Sequence, residues 1–117
     1  MPVHQWAVME AQLDPVRGAG QKGSGPVLTV SNEEFNQAMP NVAVLPLTST
    51  NRRLYPSEVL LPKGKAGQTL DAIIMGHQVR KISKQRLSRL PGHPESSVHR
   101  REVQTAIRDH LDLDQSN

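Results

Sequence analysis

The sequence predicts a small, β-dominated α+β domain, and three observations carry that prediction. Short apolar runs such as Val27–Val30, Val42–Leu45 and Leu70–Met75 are separated by Pro- and Gly-containing turns at close intervals. Only one long stretch, after Pro91-Gly92-His93-Pro94, carries apolar residues at helical spacing. At 117 residues with 36% hydrophobic and only 3% aromatic content, the chain can bury one modest core of Val, Leu, Ile and Ala. The pattern leads to a compact barrel or curled sheet in a single domain spanning residues 1–117.

The elements follow in order. Trp6–Leu13 reads as a first strand entering the Asp14-Pro15 turn, where proline fixes φ and aspartate bonds the backbone beyond it. Gly18, Gly20, Gly23 and Gly25 then fall within eight residues, with Arg17 and Lys22 the only charges. Such a loop can bring its amides close to an anion. Pro26 stops the loop, and Val27–Val30 is the second strand. Ser31 with Glu34 has the capping-box spacing, which predicts a short helix over Glu33–Gln37 with Phe35 packed on the core. Val42–Leu45 is an uninterrupted apolar run, expected to be a central strand buried on both faces and ending at Pro46. Ser57–Leu61 is a fourth strand, Pro62–Gly67 a hairpin-like loop and Leu70–Met75 a fifth strand. Gln78–Ile82 continues it or begins a sixth after a bend at Gly76. In the terminal helix Val98, Val103, Ala106, Ile107, His110 and Leu111 share a face; residues 112–117 are expected to fray.

Composition excludes several classes. The chain has no cysteine, which removes disulfides and thiolate metal sites and suits a reducing cytoplasm. No apolar run approaches the roughly 20 residues that span a bilayer. MPVHQW has no basic segment leading into an apolar stretch, so no signal peptide is expected. The net charge of +3 favours an anionic partner. Arg80, Lys81, Lys84, Arg86 and Arg89 lie within ten residues that hold no acid. His99 and His110 are three turns apart on one helix and do not make a ligand pair. No compact carboxylate–histidine set appears, so neither a metal nor a cofactor is expected. The glycine-rich loop also lacks the spacing of a nucleoside-triphosphate loop.

Five motifs, in order, resemble the MazF/PemK family of bacterial toxins. They are Leu13-Asp14-Pro15-x-Arg17-Gly18 with Gln21-Lys22 and Pro26-Val27-Leu28-x-Val30-Ser31-Asn32; Val44-Leu45-Pro46-Leu47-Thr48-Ser49; Tyr55-Pro56 with Glu58-Val59; His77-Gln78-Val79-Arg80-Lys81-Ile82; and Lys84-Gln85-Arg86-Leu87. The resemblance extends from about Trp6 to Leu113. It implies an SH3-like antiparallel barrel and a metal-independent, sequence-specific endoribonuclease that cleaves single-stranded mRNA. It further implies a cytoplasmic homodimer, restrained by a MazE-like antitoxin whose acidic tail competes for the RNA groove. Thr48 matches the family's catalytic threonine. Gln21, Lys22, Asn32, Asn36, Gln78 and Arg80 match positions of the RNA groove, and Arg17, Ser49 and Arg52 are expected beside them. Amides and guanidinium groups suit exposed base edges, and the scarcity of aromatics argues against a stacking platform.

One departure stands out. The family places a catalytic arginine just before the proline that opens the second strand, and here that position is Gly25. Many relatives also carry glutamate where this chain has Gly20. Loss of the guanidinium removes a charge-assisted phosphate contact, so cleavage is expected to be impaired. Two origins fit: a naturally weakened homologue, or an introduced inactivating change. The rival readings are a non-catalytic toxin resembling the CcdB gyrase poisons, which share the fold, and an RNA-binding barrel without toxicity.

Overall fold

The computed structural model describes residues 2–12, 23–49, 52–64, 70–89 and 97–113. Among these the element order is β1 (Val8–Gln12), β2 (Ser24–Thr29), α1 (Glu33–Ala38), β3 (Asn41–Thr48), β4 (Glu58–Leu61), β5 (Ala72–Met75), β6 (Arg80–Ser83), a 3-10 turn (Lys84–Arg86), β7 (Leu87–Ser88) and α2 (Ser97–Leu111). All described pairings are antiparallel, with strand order β4-β5-β3-β2-β1-β7 and β6 attached to β3. The fold is therefore the β-dominated α+β class read from the sequence. It differs from a closed barrel: among the described residues β4 and β7 are the ends of an open sheet.

β3 is the strand on which the others converge. Its residues Val44, Leu45 and Pro46 pair with Thr29, Leu28 and Val27 of β2. On the other edge, Asn41–Val44 pair with Arg80–Ser83 of β6, while Leu47 and Thr48 pair with Ile74 and Ile73 of β5. Side chains alternate along a strand, so β3 feeds two cores. Leu45 and Leu47 join Val8, Leu28, Val59, Leu61, Ala72 and Ile74 in a cluster closed by Val103 and Ala106 of α2. Val42 and Val44 join Val3, Ala7, Met9, Ala11, Val27, Ile82 and Leu87 on the other face. The expected two-sided burial holds, but the strand runs past Pro46 to Thr48. Pro46 is buried and paired with Val27, so the proline is accommodated within the strand.

Several local expectations are revised. β1 begins at Val8 because Trp6 sits in a turn at φ 71 with its amide bonded to Thr29 O at 2.7 Å. β2 begins at Ser24, which places Gly25 and Pro26 inside the strand. The α1 cap is Asn32, whose side-chain oxygen accepts from Phe35 N at 2.8 Å. Ser31 instead donates its hydroxyl to Asn36 Oδ1 at 2.5 Å and accepts from Ala43 N at 3.0 Å. The phenyl ring of Phe35 is 42% exposed, and the helix buries Asn36 in its place. β7 is an element that the pattern did not reveal: two residues that pair with Glu10 and Ala11. In α2, Val103 and Ala106 are buried and Ile107 packs beside them, whereas His110 and Leu111 are exposed. The helix closes with Asp112 in the left-handed region at φ 55, Asp112 N bonded to Asp109 O and Leu113 N to Arg108 O. The expected loop at 65–67, the break at 91–94 and residues 114–117 lie outside the described residues.

Among the described residues, Gly76 is a glycine at which the packing forbids a side chain outright. A Cβ there would lie 2.5 Å from Ser57 O and 3.1 Å from Ala106 Cβ. Ser57 is itself left-handed at φ 65, so the turn before β4 and the turn after β5 press together over α2. Gly76→Ala is expected to cost roughly 1–3 kcal/mol through overpacking. Equilibrium urea unfolding checks this, and an unchanged midpoint would show that the two turns can separate freely.

Candidate nucleic-acid interface

The strand register brings the candidate catalytic positions together. Gly25 pairs with Ala11 of β1, and Thr48 pairs with Ile73 of β5. The β2–β3 register sets Val27 against Pro46 and Leu28 against Leu45. The pairs end there; by alternation Gly25 lies on the same side of β2 as Val27, and Thr48 on the same side of β3 as Pro46. The two positions therefore share a face, at the end of the sheet where β2 enters and β3 leaves. Thr48 is half-buried and Ser49 is exposed.

Nothing in the fold demands glycine at position 25. A Cβ there meets no heavy atom within 4 Å, and its φ is not in the left-handed region. The strand would accept a side chain, including the long arginine that the family pattern places there. Arg17, Gln21 and Lys22 lie outside the described residues. The strand ends that bracket them, Gln12 and Ser24, are cross-strand partners at this same end of the sheet.

The second set of expected contacts is at the start of β6. Arg80 pairs with Val44 and is exposed, and its Nη2 donates to Gln78 Oε1 at 2.9 Å. Alternation along β3 puts Val44 and Thr48 on one face, so the Arg80 backbone position faces the same side, roughly 13 Å along the strand. Gln78 N bonds Met75 O at 3.1 Å, which closes the turn leading into this fork. The basic run after it is not one patch. Arg80 and Lys81 alternate across β6, and Lys84 Nζ donates to Asn36 O at 2.7 Å, at the end of α1.

Three of the expected contacts have other duties. Asn36 is only 1% exposed, and its amide holds Ser31, with Nδ2 donating to Ser31 O at 2.8 Å. It pins α1 to β3 and presents nothing to a ligand. Asn32 is exposed, but its oxygen caps α1. Arg52 is engaged in a bidentate pair with Glu58, Nη1 to Oε1 at 2.8 Å and Nη2 to Oε2 at 2.9 Å. Its guanidinium also lies 4.1 Å from the centre of the Tyr55 ring.

Glu58 stands in the Tyr55-Pro56, Glu58-Val59 motif with no role expected of it, yet its side chain has no exposed surface. Besides Arg52 it accepts from Tyr55 N at 2.8 Å and meets His77 Nε2 at 2.8 Å. The Arg52 hydrogen bonds, helped by those of Tyr55 and His77 and opposed by burial, hold its carboxyl down to about 2, against an ordinary 4.5. The only sequence signal was an arginine six residues before a glutamate, across a Tyr-Pro turn. Such spacing means nothing until Ser57 takes a positive φ and folds the segment back. No group of three or more metal-ligating side chains occurs among the described residues, and no described helix is long and apolar enough to cross a membrane.

Because the folded pKa is depressed, Glu58 stabilises the fold fully above about pH 5, and that contribution is lost as pH falls through about 2. The melting temperature of the protein should therefore exceed that of Glu58→Gln at pH 6, and the gap should close by pH 2. Paired calorimetric scans test this, and a gap independent of pH would show that the carboxylate charge does not contribute.

Comparison with known proteins identifies relatives of the chain and of its fold. Residues 4–111 match the family model described as PemK-like, MazF-like toxin of type II toxin-antitoxin system. The endoribonuclease MazF9 of Mycobacterium tuberculosis is 31% identical over 111 residues, covering 91% of this chain and 93% of that protein. Among solved structures, the Mycobacterium tuberculosis toxin MazF-mt6 superposes with a TM-score of 0.77 at 26% identity, over 93% of this chain and 99% of that one. A mycobacterial endoribonuclease in complex with its cognate antitoxin shares the fold at a TM-score of 0.77 and 22% identity, over 97% and 98% of the two chains.

Proposed function

The chain belongs to the PemK-like, MazF-like toxins of type II toxin–antitoxin systems, and from that premise we propose that it is a metal-independent endoribonuclease cutting single-stranded RNA, with mRNA as the natural target. What supports this is the Val27–Pro46 pair, from which alternation puts position 25 and Thr48 on one face at the same end of the sheet. Cleavage without metal needs the 2′-hydroxyl to attack the adjacent phosphate while one group takes its proton and another protonates the leaving 5′-oxygen. Donors must meanwhile hold the phosphoryl oxygens as charge builds. Thr48 supplies a hydroxyl donor at the phosphate, and an arginine at position 25 would stand beside it. With glycine there, the chain retains the surface for RNA and lacks the guanidinium, so it binds RNA and cleaves poorly.

Gln78, with its carbonyl oxygen held by Arg80 and its Nε2 donating to Met75 Sδ at 3.7 Å, keeps one amide hydrogen for a ligand, and Arg80 adds positive charge to the same rim. Exposed base edges of single-stranded RNA are read by such paired donors and acceptors. Arg17, Gln21, Lys22 and Ser49 complete the proposed contact set, while Arg52 and Asn36 support it from beneath. The protein acts in the cytoplasm as a homodimer. Its natural inhibitor is a MazE-like antitoxin whose acidic segment occupies the same basic rim and excludes RNA by competition.

An end-labelled RNA cleavage assay in EDTA, comparing this chain with Gly25→Arg, tests the proposal. The arginine form should cut at a short recurring sequence, with the glycine form about 100-fold slower or silent. Thr48→Ala in the arginine background should lose roughly 10- to 1,000-fold in rate. If neither form cuts a long mixed-sequence RNA, the ribonuclease reading fails and a protein-poisoning toxin takes its place.

A further inference from the structure

Glu58 joins two segments that the proposed site needs at a fixed separation. Arg52 and Tyr55 belong to the segment that leaves β3 just after Thr48 and Ser49. His77 sits in the turn after β5, immediately before Gln78 and three residues before β6 opens at Arg80. One buried carboxylate receives hydrogen bonds from all three: bidentate from Arg52, from Tyr55 N, and a 2.8 Å contact with His77 Nε2. The junction is tight from below as well. Ser57 O occupies the space where a side chain on Gly76 would lie, with Ala106 of α2 beneath it. The His77 ring in turn sits edge-on to His110 of α2, 6.1 Å between centres.

We propose that Glu58 is a positioning residue for RNA cleavage, a clasp that registers the Thr48 end of β3, where the phosphate reacts, with the Gln78–Arg80 fork, where bases are read. This rests on the ribonuclease reading above. The carboxylate does not touch RNA itself, because its side chain has no exposed surface and both oxygens are engaged. It acts through Arg52 and His77, which fix the two connections whose far ends carry the chemistry. A small change in their spacing leaves each half able to bind but misplaces the reacting phosphate relative to Thr48. Misplacement of about 1 Å is enough to cost on the order of 100-fold in rate.

The test uses the full chain with Gly25→Arg as the cleaving parent and a short RNA carrying the sequence that parent cuts. Glu58→Gln should lower kcat by about 10- to 100-fold while KM stays within about threefold. The pH–rate profile between 5 and 9 should keep its shape, since Glu58 is ionised throughout that range. His77→Ala should lower kcat similarly. His77→Gln, whose amide can donate to the same oxygen, should recover it to within about threefold of the parent. Should Glu58→Gln fail to fold, the His77 pair carries the test, because that side chain is partly exposed. In the chain as it stands, with Gly25, the Glu58→Gln change should speed amide exchange at Tyr55 by about tenfold. A folded Glu58→Gln enzyme at the parent's rate overturns the proposal, as does a His77→Gln form no better than His77→Ala. Loss of the acidic limb of the profile would make Glu58 a proton acceptor and overturn it equally. An arginine parent that cuts no RNA is a separate result: it sinks the ribonuclease reading and the positioning role with it, while exchange at Tyr55 still reports whether the clasp exists.

Discussion

An eight-residue strand buried on both faces has to be covered twice and paired along both edges, and β3 imposes that demand on the whole chain. Leaving its amides and carbonyls unpaired inside the protein would cost more than any single side chain returns. The strands β2, β5 and β6 pair with it, and two strands share its second edge: β6 takes the first half and β5 the last two residues. That division requires the chain to turn sharply between β5 and β6. The turn at Gly76, His77 and Gln78 is therefore a consequence of how β3 is paired. The function proposed for this protein sits at the two places that arrangement exposes, the end of β3 and the start of β6.

Fold and chemistry are separable at position 25 and inseparable at position 76. At both, the sequence shows only a glycine. At Gly76 the backbone carbonyl of Ser57 fills the space of a side chain, so the residue type is dictated by packing. At Gly25 the space is empty and the strand pairs normally with Ala11. Glycine in a strand forgoes side-chain packing and carries extra conformational entropy into the unfolded chain. Its presence at position 25 therefore brings no structural benefit, and its consequence is chemical: the phosphate loses a guanidinium.

The strands that sequence revealed were those whose burial is written in composition. Val42–Leu45 reads as a two-faced strand because every residue in it is apolar, and the terminal helix is similarly plain; the strand expected over Leu70–Met75 forms only over Ala72–Met75, with Leu70 exposed. β7 was illegible because two residues carry no period, and only the Glu10–Ser88 and Ala11–Leu87 pairings define it. The capping of α1 slipped by one residue because Ser31 and Asn32 are both good caps. The deciding fact was the buried amide of Asn36, which takes the serine hydroxyl. Of the candidate site, Thr48, Gln78 and Arg80 were expected from a family motif, and alternation from the Val27–Pro46 pair puts Thr48 and position 25 on one face. Arg52 looked like a surface cation, since nothing in the string of letters says that Glu58 will be folded back beneath it.

That buried pair is the clearest case of a local cost accepted for a positional gain. Taking a carboxylate out of water is expensive, and a well-packed apolar residue at position 58 would often be as stabilising or more so. Two features offset the expense here. The guanidinium fork matches both oxygens at once, which is the strong geometry for such a pair, and Tyr55 N and His77 satisfy further lone pairs. An apolar residue could fill the same volume, but it could not hold named atoms on each of two segments. Hydrophobic contact is non-directional and tolerates sliding, whereas four hydrogen bonds to one rigid carboxylate do not. A site assembled from two separate chain connections needs that second kind of interaction, and Glu58 is where this molecule supplies it.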